Sequence, residues 1–571
     1  MEKIKKLRKI LIREKLDGYL IPKNDEFFSE YVSDHNDRLN YISNFSGSYG
    51  FALILKKKNY LFVDGRYTLQ ANKQSGKSFE IISIPGHIPS NTQKKRLSIG
   101  FDPNLFTKKI LSSFFKKSKY RYKPIASNLI DEIWIRKIKK KKGKFFKLPN
   151  NSVSEKYQSK IHKVSNYLNK KKSDFLFITA CENSAWLLNV RGHDAKYAPI
   201  PNSYILIDKN KNIKFFSDLD KISPALKNYF KNIEFLDIKI CVKILSEIKK
   251  KKFIIDKSSC SYFFEDIIRK NNKILNYHDP VYFFKAIKGR KEIENIKKAH
   301  IYDGAALTKY LFWLKKNYYK KKVTEISASN KLFKLRKKNK NFKFSSFPTI
   351  SGTGPNGAII HYKATNKTNK KLKSGDIYLV DSGGQYEFGT TDVTRTISLN
   401  NSNKRIKDIY TRVLKGHIAV SNFNLKKNTH GAIIDESARK YLRQIGLDYP
   451  HGTGHGVGYF LNVHEGPHGI SKRNKINFQQ GMVVSNEPGY YERNRFGIRI
   501  ENLIYVKRNR KKLCFENLTM APIEKDLIIR ERLSSNEINW LNNYHKNVFK
   551  NLKKSMNKIE ILELRRACSA I

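Results

Sequence analysis

Apolar residues first recur at helical spacing, Ile4, Leu7 and Leu11 marking one face of a surface helix at the start of the chain. The period then shortens. Gly18 to Ile21 reads as a strand, and Gly50 to Leu55 and Tyr60 to Val63 read as two more, joined through a turn at Lys56 to Asn59. From about Arg136 to Pro149 the chain is basic and weakly patterned, with Gly143 and Pro149 as breakers, which predicts a domain boundary. The α/β pattern then resumes with a helix from about Ser154 to Leu168, a strand Asp174 to Thr179, the string Trp186 to His193, and a strand Ser203 to Ile207. The order aromatic, aliphatic, Asn, Gly in Trp186 to Gly192 repeats that in Tyr41 to Gly47, and predicts a duplicated fold. A third region opens near Lys285 to Arg290 with a long helix, Glu292 to about Leu314, carrying Ile293, Ile296, Ala299, Ala306 and Leu307 at helical spacing. The capping box Ser534-x-x-Glu537 precedes Ile538, Leu541, Val548 and Leu552, a last helix packing one face. The expected domains are 1–135, 152–286, 287–510 and 511–571.

The third region holds the acids. Ile377 to Asp381 is an apolar strand ending in a carboxylate and a Gly-Gly turn, and the β-branched Thr390 to Ser398 reads as its return, carrying Asp392. Met482 to Glu487 is again an apolar strand ending in an acid, with Gly497 to Val506 returning through Glu501. Each acid alone reads as a polar strand end. Together they predict two hairpins of a pseudo-twofold domain whose four carboxylates converge. Four buried like charges cannot all stay ionised without a cation, so the pattern calls for metal. Between the pairs, His451-Gly-Thr-Gly-His455-Gly-Val-Gly458 is a glycine-dense loop that lets backbone approach closely and turns histidines inward.

Length and composition narrow the class. At 571 residues the chain is long enough for three or four domains of about 150 residues. Its 40% apolar and 12% aromatic content sets it apart from disordered chains despite 29% charged residues. The net charge of +63 would suit nucleic acid or a membrane surface. Yet Lys is spread along the whole chain beside abundant Asn, Ile, Phe and Tyr, and no RNA-module or zinc-finger signature accompanies it, so compositional bias is the preferred reading. Runs such as Lys139 to Lys142 and Lys249 to Lys252 read as solvated linkers or helix ends. Five scattered cysteines, Cys181, Cys241, Cys260, Cys514 and Cys568, form no CxxC, so neither a disulfide framework nor a thiolate zinc site is indicated. The basic N-terminus is interrupted by Arg13, Glu14 and Lys15 before a signal-peptide core forms, and no run approaches the ~18 apolar residues of a membrane span. A soluble, cytoplasmic protein with no membrane partner and no specific nucleic-acid partner is expected.

Asp381, Asp392, His455, Glu487 and Glu501, in that order and spacing, resemble the five metal ligands of the pita-bread metallopeptidases. The strings Gly357 to Tyr362, Thr390 to Thr396, His451 to Gly458, Asn462 to Pro467, Asn486 to Tyr490 and Gly497 to Glu501 are similar to the three-domain aminopeptidase P family within it. Asp64-Gly-Arg-Tyr67 resembles its first creatinase-like domain, Trp186 to Gly192 its second, and Trp540 to Tyr544 its C-terminal extension. The resemblance implies two creatinase-like α/β domains ahead of a pita-bread catalytic domain, and a homodimer. It also implies hydrolysis of the N-terminal Xaa-Pro bond of peptides with proline second, by a hydroxide bridging two divalent ions. Asp392 and Glu501 would bridge the ions, with Asp381 on one and His455 and Glu487 on the other. Ligand chemistry of this kind suits hard to borderline ions, Mn²⁺ first, with Zn²⁺, Co²⁺ and Fe²⁺ also compatible. Glu487 would also carry the proton, and His361 and His464 would donate to the substrate carbonyl or the developing oxyanion. His451 and Arg499 would line the pocket. For these last four residues, structural support behind the ligands is the competing role. A prolidase acting on dipeptides is the enzymatic rival, and a non-catalytic nucleic-acid- or protein-binding relative the rival of another class.

Overall fold

The computed structural model describes residues 2–84, 96–115, 118–136, 143–320, 322–400, 403–510 and 512–571. Lys139 to Lys142 lie outside the described residues. Two compact units result: Met1–Asn150 with Glu155–Tyr282, and Asn151–Ser154 with Phe283–Ile571.

The first unit holds two six-stranded sheets of one topology. In one, the strands Glu80–Ser83, Asn59–Val63, Phe51–Leu55, Gly18–Pro22, Ser98–Phe101 and Arg121–Pro124 follow one another across the sheet. In the other, Ile233–Asp237, Ile213–Ser217, Ser203–Asp208, Phe175–Ile178, Lys252–Ile255 and Lys273–Ile274 do so. In both, the two pairings between the second, third and fourth strands are antiparallel and the outer ones parallel. The repeated string has a structural cause. The helix Arg38–Ser43 and the helix Cys181–Leu187 are each followed closely by an asparagine in the left-handed region, Asn44 at φ 61° and Asn189 at φ 54°. Asparagine tolerates that conformation better than most residues, and so ends both helices alike. The N-terminal helix Glu2–Arg13 buries Ile4, Leu7, Ile10 and Leu11, one residue more than the spacing marked.

Two features at and just after the presumed linker add to the sequence reading. Phe146–Lys147 is a short strand pairing with Val190–Arg191. Asn151–Ser154 packs into the second unit, where the Ser152 carbonyl accepts from Tyr459 and Ser154 Oγ caps the backbone of Glu292. The Lys249 to Lys252 run is exposed, connecting a helix to a strand.

The second unit is built twice over on one plan. The helices Arg290–Asn317 and Glu325–Lys337 precede the strand Ile377–Ser382, a small ribbon (Gly384–Tyr386 with Gly389–Thr390), and the return strand Val393–Ser398, which pairs back on the first. The helices Lys404–Ser421 and Gly431–Arg443 precede the strand Val483–Asn486, a ribbon (Gly489–Glu492 with Phe496–Arg499), and the return strand Asn502–Asn509. The run Gly497 to Val506 is therefore two strands in different sheets, broken at Ile500 and Glu501, and not one. The break turns the chain from the ribbon into the sheet and frees Glu501 from the ladder. The helix Ser535–Leu552 opens with the expected capping box and buries Leu541, Val548 and Leu552, and a further helix, Lys558–Ala567, follows.

Candidate metal centre

The two plans place their acids alike. Asp381 lies in its strand opposite Thr394, and Asp392 sits at the mouth of the return strand. Glu487 follows Asn486, which is registered with Asn502, so Glu501 stands across from it. The two halves are stitched together: Glu501 N donates to the Thr394 carbonyl (3.2 Å), and Arg499 N donates to Thr396 Oγ1 (3.0 Å).

His455 comes from Gly454–Gly456, a strand between two neighbours. A Cβ on Gly454 would stand 1.9 Å from the Ser485 carbonyl oxygen, and one on Gly456 2.1 Å from that of Glu465, so only glycine permits this approach. His455 Nδ1 donates to the Gly456 carbonyl (3.0 Å), which leaves the Nε2 lone pair free to ligate. That Nε2 is 3.5 Å from Asp392 Oδ2 and 3.4 Å from Glu487 Oε1. One ligand atom each from Asp392, His455 and Glu501 lies within 4.8 Å of the others.

Two of the four carboxylates, Asp381 and Glu501, are held at one oxygen and unpaired at the other. Arg499 Nη2 donates to Asp381 Oδ2 (2.6 Å) while Oδ1 is buried without a partner. Thr394 Oγ1 donates to Glu501 Oε2 (2.7 Å) while Oε1 is likewise orphaned. Buried acceptors are rarely left so, and two of them within one acidic cluster fit a cation-binding role. Ser485 Oγ accepts from His455 N (2.9 Å) and donates to Glu487 Oε1 (3.0 Å), fixing these two together. Burial, then the charges of Asp381 and Glu487, pushes the Asp392 carboxyl well above the usual carboxylate range. Glu501 is raised the same way by burial and by Asp392, Glu487 and Asp381. A divalent ion removes this repulsion.

Of the remaining predicted residues, His464 and Arg499 touch this group and His451 joins it through Tyr491. The His464 ring centroid is 4.2 Å from that of His455. His451 Nδ1 donates to the Gly452 carbonyl (2.7 Å), so its Nε2 accepts from Tyr491 Oη (2.9 Å), which accepts in turn from Arg499 Nη1 (2.5 Å). Burial opposes the Arg499 charge, but Tyr491, Asp381 and Glu487 outweigh it and hold the guanidinium protonated. His361 is half-buried beyond the turn Gly354–Ala358, which lies so close to the Arg499 strand that a Cβ on Gly497 would meet the Gly357 carbonyl oxygen at 1.9 Å. Its neighbour Tyr362 donates to the buried Glu325 carboxylate (2.8 Å), which pins the loop.

The sequence reading gave no role to Tyr491, Thr394 or Ser485. Ribbon periodicity offered a signal for the first, because Gly489 pairs with Arg499 and Tyr491 with Gly497, placing Tyr491 and Arg499 diagonally on one face.

The chain is similar to known proteins along most of its length. Residues 294–508 match the profile of metallopeptidase family M24. Residues 3–133 and 136–292 match creatinase/prolidase N-terminal domains, and 511–571 the C-terminal region of peptidase M24. The chain is 36% identical over 576 residues to a probable Xaa-Pro aminopeptidase P of Laccaria bicolor, covering 95% of this chain and 89% of that one. It is 36% identical over 584 residues to Xaa-Pro aminopeptidase 1 of Dictyostelium discoideum, covering 96% and 92%. The crystal structure of X-prolyl aminopeptidase from Caenorhabditis elegans, described as a cytosolic enzyme with a di-nuclear active site, matches at TM-score 0.94 and 31% identity, covering 100% of this chain and 99% of that one. A prolidase from Pyrococcus horikoshii matches at TM-score 0.51 and 25% identity, over 64% of this chain and 99% of that one.

Proposed function

This chain belongs to metallopeptidase family M24, among its Xaa-Pro aminopeptidases, and on that premise we propose that the acidic pocket holds two divalent cations and serves removal of the N-terminal residue from peptides with proline second. The observation that carries the reading is the pair of orphaned buried oxygens, Asp381 Oδ1 and Glu501 Oε1, in the pocket that also gathers Asp392, His455 and Glu487. Four carboxylates and one imidazole, with no thiolate, favour a hard to borderline ion such as Mn²⁺. Asp381, Asp392, His455, Glu487 and Glu501 would hold the pair, Asp392 and Glu501 being the most deeply buried of the four acids.

Bound there, two such cations lower the pKa of a water and polarise a carbonyl. The chain's own groups do the rest. Glu487, held at Oε1 by Ser485, takes the proton from the attacking water and passes it to the proline nitrogen as the bond breaks. The bond before proline lacks an N–H, so a site that relied on that donor would reject it, whereas one shaped for the ring accepts it. His464 and His361 donate to the carbonyl oxygen as it gains charge, a role typically worth about 3 kcal/mol per donor. Arg499, bridging Asp381 and Tyr491, holds one oxygen of that acid in place and leaves the other buried without a partner.

The reading extends to a homodimer in the cytosol. The X-prolyl aminopeptidase of Caenorhabditis elegans is described as cytosolic, and among the described residues no helix is long and apolar enough to cross a membrane. The test is an assay of Mn²⁺-loaded protein on an Xaa-Pro-Xaa tripeptide, an Xaa-Pro dipeptide and a tripeptide without proline. Release of the first residue from the proline tripeptide is expected. Cleavage of the dipeptide alone would make the enzyme a prolidase, and cleavage of the non-proline control alone would overturn the assignment.

A further inference from the structure

Tyr544 and Trp540 lie four residues apart on the helix Ser535–Leu552, and so on one face of it, with their rings stacked at 5.4 Å. Each leads to the backbone of a proposed ligand by a different route.

Tyr544 is almost fully buried, and its hydroxyl donates to the Ala521 carbonyl (2.7 Å) and accepts from Arg395 Nη2 (2.9 Å). Arg395 is buried too, and spans two parts of the chain. Its Nε donates to the Pro522 carbonyl (2.9 Å) and Nη2 to the Ala521 carbonyl (2.8 Å) and Asn502 Oδ1 (2.9 Å), while Nη1 donates to the carbonyls of Glu501 (2.6 Å) and Thr394 (2.8 Å). Thr394 is the residue whose hydroxyl holds the Glu501 carboxylate. A buried guanidinium is costly unless its donors are met, so this one fixes every carbonyl it reaches. The second route starts at Trp540, which meets the buried His417 ring edge-on at 5.8 Å. His417 Nδ1 donates to the Asn486 carbonyl (3.1 Å), and Asn486 Nδ2 returns a bond to the His417 carbonyl (2.9 Å). The Asn486 carbonyl belongs to the peptide that joins it to Glu487.

We propose that the C-terminal helix is a working part of the metal centre: through Tyr544–Arg395 and Trp540–His417 it sets the backbone of Glu501 and Glu487, the two glutamates of the second hairpin. Tyr544, Arg395, Trp540 and His417 are positioning residues in this account, since none reaches the pocket itself. The proposal rests on the metal-centre reading above and adds a role for a segment that otherwise serves only to cover apolar surface. It also explains why a fully buried arginine is spent on backbone carbonyls.

The experiment titrates Mn²⁺ into the chelated full chain by calorimetry, for wild type, Tyr544→Phe, Trp540→Leu and Leu552→Ala, and records the electron paramagnetic resonance signal of the manganese pair. Leu552 is buried at the far end of the same helix, so its truncation weakens the fold without touching either route. Tyr544→Phe keeps the ring and its packing. Its Mn²⁺ affinity is expected to fall about tenfold, the lower end of what outer-shell changes cost, with the pair signal altered and kcat reduced at unchanged KM. Trp540→Leu shifts the same readouts in the same direction, and Leu552→Ala lowers the melting temperature alone. Wild-type affinity and spectrum in Tyr544→Phe, or an equal loss in Leu552→Ala, would overturn the proposal while leaving the metal centre standing. A wild type that takes up no manganese would overturn the metal centre, and the clamp with it.

Discussion

At the scale of single residues, the site works because side chains are held at one atom and left open at another. His455 uses one nitrogen to fix its ring and offers the other to the acids. His455→Ala removes the imidazole outright, so its loss of activity should exceed the roughly 100-fold that marks the upper range of outer-shell changes, with metal content falling below two per chain by elemental analysis. Elsewhere, burial first and then the charges of Lys525 and Arg395 hold the His545 imidazole down to about 3. A histidine whose folded pKa lies below its unfolded value, about 6.5, favours folding while neutral; that stability is intact above about pH 6.5 and is lost as the pH falls towards the folded value. Because His545 Nε2 accepts from Ile523 N (3.1 Å), His545→Gln keeps the acceptor and removes the proton site. Its melting temperature should drop less than that of wild type between pH 7 and pH 5; equal drops would assign the acid sensitivity to other groups, such as the buried His417 and His468.

At the scale of elements, the site depends on strands brought closer than side chains permit. Gly454→Ala places a methyl 1.9 Å from the Ser485 carbonyl oxygen, so the His455 strand must move off the Val483–Asn486 strand. Overpacking of this kind costs about 1–3 kcal/mol. Calorimetry should show Mn²⁺ affinity falling together with thermal stability, and an affinity left intact would mean that His455 is positioned independently of that approach. This level also separates what the chain's pattern revealed from what it hid. The acids were legible because Asp381 and Glu487 each end an apolar run while Asp392 and Glu501 lie on the run that returns, and the duplication because Asn44 and Asn189 punctuate two like helices. The break at Ile500 and Glu501 was not, because an apolar, extended segment reads the same whether it continues in one sheet or crosses into another. Tyr491, Thr394 and Ser485 escaped for a related reason: their roles come from pairing register, which a single chain's local pattern does not fix.

For the whole molecule, the repetition of one plan in each unit means that the catalytic half gathers four carboxylates from two hairpins rather than from one loop, and the repulsion among them makes the site a cation trap. The charge of +63 acts at longer range. It predicts retention on heparin that falls steeply with salt, with peptidase activity unaffected by added polyanion; sequence-specific nucleic-acid binding would show that the charge has a function of its own. The central claim is that Asp381, Asp392, His455, Glu487 and Glu501 enclose a dinuclear centre. Anomalous diffraction at the manganese edge from crystals grown with Mn²⁺ should show two peaks about 3.5–4 Å apart among those five side chains. A pocket without anomalous density, or metal bound elsewhere with these side chains apart, would contradict it.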